Sequence, residues 1–226
     1  MAEITSDAVT VSSTLSRLCV ITPTQPNSQF LVVLEEILAS TTPLVQVRRK
    51  NITDSEHIRF TTKVVKLCHR YRSRCVVNDR VDIAQASEAD GVHLGADDMD
   101  ISQARKILPS SIIGATCRTE DQARQAAAEG ASYLGVGPAF ASTTKPELTN
   151  LVGPKQIGSI AAAVTIPVFA IGGITTLNIA AISKANIFGA AVVATVFEAS
   201  DPAATAATLE AALRPTNKTN IDENQK

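Results

Sequence analysis

A short aliphatic segment that begins at Leu44 runs directly into three positively charged residues, Arg48, Arg49 and Lys50. In an extended strand, successive side chains point to opposite faces. Arg48 and Lys50 therefore share one side with Gln46, and Arg49 takes the other. Two cations that face an aliphatic interior are costly unless an anion meets them. We therefore predict an oligophosphate at Arg48 and Lys50, although a solvated strand end would have the same residues.

Acidic residues follow the next two aliphatic segments of the chain. Asp79 comes directly after Cys75–Asn78, and Asp97 and Asp98 follow Gly91–Leu94. Mg²⁺ typically takes one or two protein carboxylates together with phosphate oxygens and water. Carboxylates at neighbouring strand ends, opposite a basic pair, therefore predict a metal–diphosphate site. Taken singly, Asp79 is equally compatible with a helix N-cap, and Asp97 or Asp98 with a solvated loop charge.

Two further segments have the composition of phosphate-binding loops. Gly172 and Gly173 follow a buried segment, and paired glycines let backbone N–H groups approach an anion because no Cβ intervenes. Ser142, Thr144 and Lys145 lie on a loop bounded by Gly and Pro, where hydroxyls followed by a lysine can wrap a phosphate and release it. The alternatives are a plain strand terminus for the glycines and an ordinary surface loop for the hydroxyls.

These residues require a scaffold that brings several strand ends together. Short aliphatic runs alternate with helix-like segments, which indicates repeated βα units. The predicted strands are Leu18–Thr22, Leu44–Arg48, Cys75–Asn78, Gly91–Leu94, Ile112–Thr116, Tyr133–Gly137, Val168–Ile171 and Ala190–Ala194. The predicted helices are 28–40, 53–71, 80–88, 101–107, 119–129, 154–163, 175–185 and 202–213, with N-caps at Thr53 and Thr119.

The number of strands decides between two α/β architectures. Eight strands, aliphatic throughout as strands buried on both faces should be, favour a closed barrel over a doubly wound open sheet. The paired glycines after the seventh strand match the phosphate site of such a barrel. We therefore predict a single-domain (β/α)₈ TIM barrel, in which chemistry occurs at the carboxyl ends of the strands. In that position the sequence leaves the role of His93 open, although a lone histidine at a strand end is somewhat more often a packed, hydrogen-bonded residue than a catalyst.

Length and composition agree with one such domain. Within the 226 residues we expect the barrel at 15–214 and flexible polar tails at 1–14 and 215–226. The net charge of −1 and the absence of Trp argue against binding to nucleic acid or a membrane surface. The four cysteines lack metal-ligand spacing, and we find neither a signal peptide nor a membrane-length apolar run. A cytoplasmic protein with reduced thiols is the expectation.

The order of these segments resembles the thiamine phosphate synthase family over residues 17–200. The motifs that carry the resemblance are Gln46–Lys50, Asn78–Asp82, Gly91–Gly95 with Asp98, Gly137–Lys145, Ala170–Ile174 and Gly189–Val193. The resemblance implies a transferase that moves a pyrimidinylmethyl group from its diphosphate to the ring nitrogen of a thiazole phosphate, with Mg²⁺ as cofactor. Diphosphate would leave first, and the thiazole nitrogen would capture the resulting carbocation.

The resemblance also implies a role for each residue of the site. The residues that would hold the pyrimidine diphosphate are Gln46, Arg48, Lys50 and Asn78. The catalytic residues would be Arg48, Lys50 and Lys145, and the metal ligands Asp79 and Asp98. The thiazole phosphate would be placed by Ser142, Thr144, Gly173, Ala194 and Thr195. Thr116 would complete the substrate pocket in place of a family serine, whereas Arg49 stands where the family usually has Glu.

The sequence leaves two alternatives to the synthase open. The related thiazole tautomerase lacks the metal–diphosphate residues and has a catalytic His two residues after the strand-five hydroxyl, where this chain has Arg118. The other alternative is a non-catalytic barrel that binds thiamine phosphate. The expected partners are the two small-molecule substrates, with neither nucleic acid nor membrane, and a homo-oligomer is compatible with the sequence.

Overall fold

The computed structural model of the protein describes residues 15–142 and 150–214. The two predicted tails, 1–14 and 215–226, lie outside this part of the chain, as do residues 143–149. Within it, eight parallel strands close into one barrel in the order of the sequence. The predicted (β/α)₈ barrel is therefore confirmed, and the open sheet is wrong. No helix in the described residues is long and apolar enough to cross a membrane.

The strands are β1 Leu18–Ile21, β2 Leu44–Val47, β3 Cys75–Asn78, β4 Gly91–Leu94, β5 Ile112–Cys117, β6 Tyr133–Val136, β7 Val168–Ile171 and β8 Gly189–Val192. The helices of the described residues are α1 Phe30–Ser40, α2 Asp54–Arg70, α3 Val81–Ala86, α4 Ile101–Ile107, α5 Glu120–Ala128, α6 Gly153–Ala162, α7 Ile179–Lys184, α8 Ala194–Phe197 and α9 Pro202–Leu213. All predicted strands are present, with small shifts at their ends.

Two helices differ from the prediction. The segment expected as a helix over 175–185 is helical only in α7, because the side chain of Asn178 holds a turn before it. Asn178 Oδ1 accepts a hydrogen bond from the Thr175 N–H at 2.8 Å, and its Nδ2 donates to Gly173 O at 2.9 Å. The short helix α8 was not predicted, because the eighth strand was expected to continue to Ala194. In the structure β8 ends at Val192 and α8 begins at Ala194.

Both predicted N-caps are confirmed. Thr53 and Glu56 form a reciprocal capping box at α2, where the Glu56 N–H donates to Thr53 Oγ1 and Glu56 Oε2 accepts from the Thr53 N–H. At α5 the Gln122 N–H donates to Thr119 Oγ1 at 3.2 Å. Each cap satisfies a backbone donor that has no partner within the helix and contributes about 1 kcal/mol.

A column of aromatic rings fills the barrel. Phe188, Phe169, Tyr133 and His93 follow one another with ring centroids 5.3–5.4 Å apart. Arg17 covers the far end of the column, with its guanidinium carbon 4.7 Å from the centre of the Phe188 ring. Phe188 directly precedes β8, and His93 lies near the end of β4. The column therefore runs through the barrel from its amino-terminal end toward its mouth.

Glycines on the neighbouring strands make room for these rings. A Cβ at Gly114 would lie 2.2 Å from Tyr133 Cζ and 2.5 Å from His93 Nδ1. A Cβ at Gly135 would lie 3.0 Å from His93 Cε1. A closed barrel has a fixed internal volume. The rings occupy the space that the glycines leave by having no side chain, so a larger residue at either glycine would displace a ring.

His93 ends the column as a neutral imidazole. It is buried, and its Nδ1 and Nε2 lie 3.0 Å from Tyr133 Oη and from Thr116 Oγ1 respectively. Burial lowers the pKa of His93 to about 4, because the charged ring would lose its water. The sequence-based interpretation of a packed, hydrogen-bonded histidine agrees with this environment.

We expect Gly114→Ala to lower the free energy of unfolding by about 1–3 kcal/mol, because the added methyl overpacks the Tyr133 ring. Gly135→Ala should cost less, since its Cβ meets only the edge of His93 at 3.0 Å. Denaturant unfolding of the two variants checks the order, and a Gly135 variant as unstable as the Gly114 variant would contradict it.

We expect the protein to lose stability as the pH falls from 6.5 toward 4, because the unfolded chain protonates His93 at its usual value and the folded chain does not. Between pH 7.5 and 5 this histidine accounts for about 2 kcal/mol of lost stability. His93→Gln should flatten the pH dependence by that amount. Tyr133→Phe, which keeps the imidazole, should retain it, and equal slopes for His93→Gln and the wild type would refute the assignment.

Candidate active site

The carboxyl ends of β2 and β3 hold four of the predicted residues in two linked pairs. Gln46 is buried and its Nε2 donates to Asn78 Oδ1 at 2.6 Å. The Lys50 ammonium donates to Asp79 Oδ2 at 2.5 Å, with the lysine side chain half exposed. Parallel closure of the barrel thus brings an amide pair and an ion pair to one side of the mouth.

Asp79 and Asp98 lie together although they follow different strands. Partial burial raises the pKa of Asp98, and a hydrogen bond with the Asp79 carboxyl and repulsion by its charge raise it further. The Gly95 N–H donates to Asp98 Oδ2 at 2.6 Å and fixes that carboxylate. The N-cap alternative for Asp79 is wrong, because Arg80 takes the N-cap position of α3.

The backbone of Asp79 is held in an uncommon conformation. Its φ is +68°, in the left-handed region that Asn and Asp tolerate better than other side chains. The Asp79 N–H donates to His93 O at 2.8 Å, which continues the β3–β4 pairing beyond the end of β3. This turn directs the carboxylate toward Lys50 and Asp98 instead of along the following helix.

The donor set of Asp79 and Asp98 fits Mg²⁺. Carboxylate oxygens are hard ligands, and two carboxylates close enough to raise the pKa of one of them create the charge that a cation neutralises. Among the described residues no group of three or more His, Cys, Asp or Glu side chains could hold a metal. Phosphate oxygens and water would therefore have to complete the coordination, as is usual for this ion.

Arg48 and Arg49 have different environments at the end of β2. The Arg48 N–H donates to Thr22 Oγ1 at 2.9 Å, so its main chain is anchored to the end of β1. Arg48 has no ion pair within residues 15–142 and 150–214, and its charge is available to a ligand. The guanidinium carbon of Arg49 lies 4.7 Å from the centre of the Phe60 ring on α2, outside the barrel.

The loops after β6 and β7 are joined by their backbones. The Phe140 N–H donates to Gly172 O at 3.0 Å. Gly173 has a φ of +61°, and a Cβ at this position would lie 2.1 Å from Ala141 O. Close packing of the two loops therefore requires a glycine at 173 whether or not an anion binds there, which the sequence alone did not indicate.

The loop after β6 also closes on itself. Pro138 O accepts hydrogen bonds from the N–H groups of Val152 and Gly153, at 2.9 and 3.2 Å. The segment between them includes Ser142, which is partly buried. Thr144 and Lys145 belong to the same segment but lie outside the described residues.

The predicted residues at the end of β8 lie next to the β7 loop. Thr195 Oγ1 donates to Ile174 O at 2.5 Å, which ties the first turn of α8 to the residue after Gly173. Ala194 opens that helix, and the first N–H groups of any helix have no partner inside it. Gly173, Ala194 and Thr195 are therefore brought together. They are far from Asp79 and Asp98 in the sequence but lie at the same mouth of the barrel.

Sequence reasoning missed two residues that support the site. Thr22 anchors the backbone of Arg48, and a hydroxyl directly after a strand was the available signal. Tyr133 holds His93, which in turn lies against the exposed Thr116 hydroxyl. No spacing in the sequence indicates that second chain of contacts, because it joins three different strands.

Comparison with known proteins identifies the family of the chain. A family model described as thiamine monophosphate synthase matches residues 18–196. The chain is 42% identical over 204 residues to the thiamine-phosphate synthase of Salinispora tropica, covering 88% of this chain and 98% of that protein. It is 42% identical over 185 residues to the thiamine-phosphate synthase of Haloarcula marismortui, covering 80% and 88% respectively.

A solved structure gives the same result. Thiamine phosphate pyrophosphorylase from Pyrococcus furiosus matches with a TM-score of 0.80 and 32% identity, covering 90% of this chain and 97% of that one. Thiamine-phosphate synthases are transferases, and the match to them confirms the class of enzyme predicted from the sequence. On the sequence match and the shared barrel together, this chain belongs to the thiamine monophosphate synthase family.

Proposed function

We propose that the protein catalyses the Mg²⁺-dependent transfer of the 4-amino-2-methylpyrimidin-5-ylmethyl group from its diphosphate to a thiazole phosphate, releasing diphosphate and thiamine phosphate. The observation that supports this most strongly is the meeting of Asp79 and Asp98 beside Lys50. A cytoplasmic location is part of the proposal, since the four cysteines are free thiols, the state that a reducing compartment maintains.

The positive side chains would stabilise the departing diphosphate. Arg48 and Lys50 come from the end of β2, and Lys145 would approach from the loop after β6. In a dissociative step negative charge grows on the leaving group, so fixed cations stabilise the transition state more than the ground state. Asp79 and Asp98 would hold Mg²⁺, which would add further neutralisation of the diphosphate.

The amide pair would orient the pyrimidine. The 2.6 Å bond from Gln46 Nε2 uses Asn78 Oδ1 as its acceptor. Gln46 Oε1 and Asn78 Nδ2 are then left to face the substrate, one as an acceptor and one as a donor. A fixed amide pair at this point selects an orientation of a ring that carries both donors and acceptors.

The surroundings of His93 would protect a carbocation. The imidazole is the neighbouring nitrogen base, and both of its ring nitrogens are engaged at 3.0 Å, by Tyr133 Oη and Thr116 Oγ1. It therefore offers no free nucleophile to compete with the thiazole nitrogen. The same contact holds the Thr116 hydroxyl in place at the mouth, where it would touch the pyrimidine.

The acceptor would be placed from the opposite side of the mouth. Gly173, Ala194 and Thr195 lie together there, and Ser142 and Thr144 would add hydroxyls from the neighbouring loop. Holding the thiazole close to the reacting carbon makes its capture an effectively unimolecular step. This division assigns one substrate to the ends of β2–β4 and the other to the loops after β6–β8.

Incubation of the purified protein with the pyrimidine diphosphate, the thiazole phosphate and Mg²⁺ tests the proposal. We expect thiamine phosphate and diphosphate to form in equal amounts, and chelation of the metal to stop the reaction. A tautomerase would change only the thiazole, and a non-catalytic barrel would bind thiamine phosphate without producing it. Either result, or activity that survives chelation, would contradict the proposal.

Asp79→Asn and Asp98→Asn should each lower turnover by at least about tenfold, equivalent to about 1.4 kcal/mol of transition-state stabilisation. Asparagine tolerates the positive φ of Asp79 and can still accept the hydrogen bond from Gly95, so the change removes charge rather than structure. The Mg²⁺ concentration for half-maximal rate should rise in both variants. Asp97→Asn is the matched control, because Asp97 is exposed beside the pair, and it should behave as the wild type.

A further inference from the structure

A second positively charged cavity lies outside the barrel, between α1, α2 and the segment that follows β1. Its volume is about 320 Å³, and Asn27 and Ser28 form one edge. Arg49, Arg59 and Lys63 line it as well, and none of them has been given a part in the reaction. The cavity is at the lower end of the size range of small-molecule sites.

The three cations around this cavity face one acidic lining residue, Glu56. In the part of the chain that the structure describes, none of them takes part in an ion pair. Arg59 and Lys63 are four residues apart on α2, so they repel each other on one helix face at a small cost in stability. The stability of α2 therefore does not explain why Arg59 and Lys63 lie side by side. A bound anion would offset the repulsion between them.

The acidic residue at the cavity has another task. Glu56 lines the cavity, but its Oε2 accepts hydrogen bonds from the N–H and the Oγ1 of Thr53 in the capping box. These bonds, followed by the charges of Arg59 and Arg49, lower the pKa of Glu56. The Glu56 carboxylate is held at the start of α2 by these bonds. It is one negative charge against three positive ones, so the cavity keeps a net positive charge.

Arg49 is held in position without an anionic partner. Its guanidinium lies over the Phe60 ring at 4.7 Å, and its Nε is buried with no hydrogen-bond partner in the described residues. A buried donor without an acceptor destabilises the folded protein, and an oxygen ligand that accepted its hydrogen bond would remove that cost. The stacking fixes the plane of the guanidinium, so little side-chain entropy would be lost on binding.

The other wall of the cavity is apolar. Phe30 and Phe60 lie with ring centroids 5.5 Å apart, and Leu31 is next to them. We propose that this cavity binds a small phosphate monoester, with the phosphate at Arg49, Arg59 and Lys63 and the organic part against the two phenylalanines. The alternation of β2 separates this site from the mouth, because Arg49 faces away from the side that Arg48 and Lys50 take.

Titration of the isotope-labelled full chain with phenyl phosphate tests the proposal by NMR. We expect saturable shifts of the amide signals of Ser28, Arg59 and Lys63, separate from any shifts at Gly173 and Thr195. The double variant Arg59→Glu/Lys63→Glu should lose at least about tenfold in affinity at the first group of amides, since it replaces two cations that would form charge-assisted bonds to the phosphate with anions that repel it. Its synthase turnover should not change.

The control is Lys66→Glu, which makes one of these two charge reversals at an exposed position of α2 outside the cavity. It should bind phenyl phosphate as the wild type does. Shifts confined to the mouth, or equal affinity in the double variant, would overturn the proposal. Inorganic phosphate bound as tightly as phenyl phosphate would overturn the assignment of an organic part. None of these outcomes depends on whether the synthase reaction is observed.

Discussion

The closed barrel imposes a fixed internal width, and the rest of the structure depends on how that interior is filled. Rings from Phe188 to His93 occupy it, and glycines such as Gly114 on the neighbouring strands leave space for them. His93 is the last ring of the column and lies at the bottom of the barrel mouth. A change in the volume of the core would therefore move His93, and with it the Thr116 hydroxyl at the mouth.

Electrostatics divides the mouth into two halves. Lys50, Asp79 and Asp98 form a compact group of charges on β2–β4, whereas the loops after β7 and β8 contribute backbone groups and hydroxyls. The first half suits a diphosphate with a metal ion, and the second suits a single phosphate. In the proposed reaction, two substrates that both carry phosphate would be distinguished in this way: the carboxylates would need a metal ion to bind one of them, whereas backbone N–H groups and hydroxyls would bind the other.

Much of this arrangement was predictable from the sequence. Continuous aliphatic strands and their number led to the barrel, and the position of Asp79 and Asp98 after adjacent strands led to a shared carboxylate site. Local contacts made by short polar side chains were less accessible. The turn at Asn178, which shortens α7, depends on two hydrogen bonds that no periodicity reveals. The reason for glycine at 173 was also hidden, because it lies in a contact with another loop.

The loop after β6 begins and ends at the same backbone carbonyl, Pro138 O, which accepts from Val152 and Gly153. The residues directly after Pro138 still pack against the loop after β7, through the hydrogen bond from the Phe140 N–H to Gly172 O. Beyond that contact, the two anchor points place little limit on the number of residues between them, since the cost of loop closure depends only weakly on length. A loop anchored in this way can differ in length and sequence among related barrels while the scaffold stays the same.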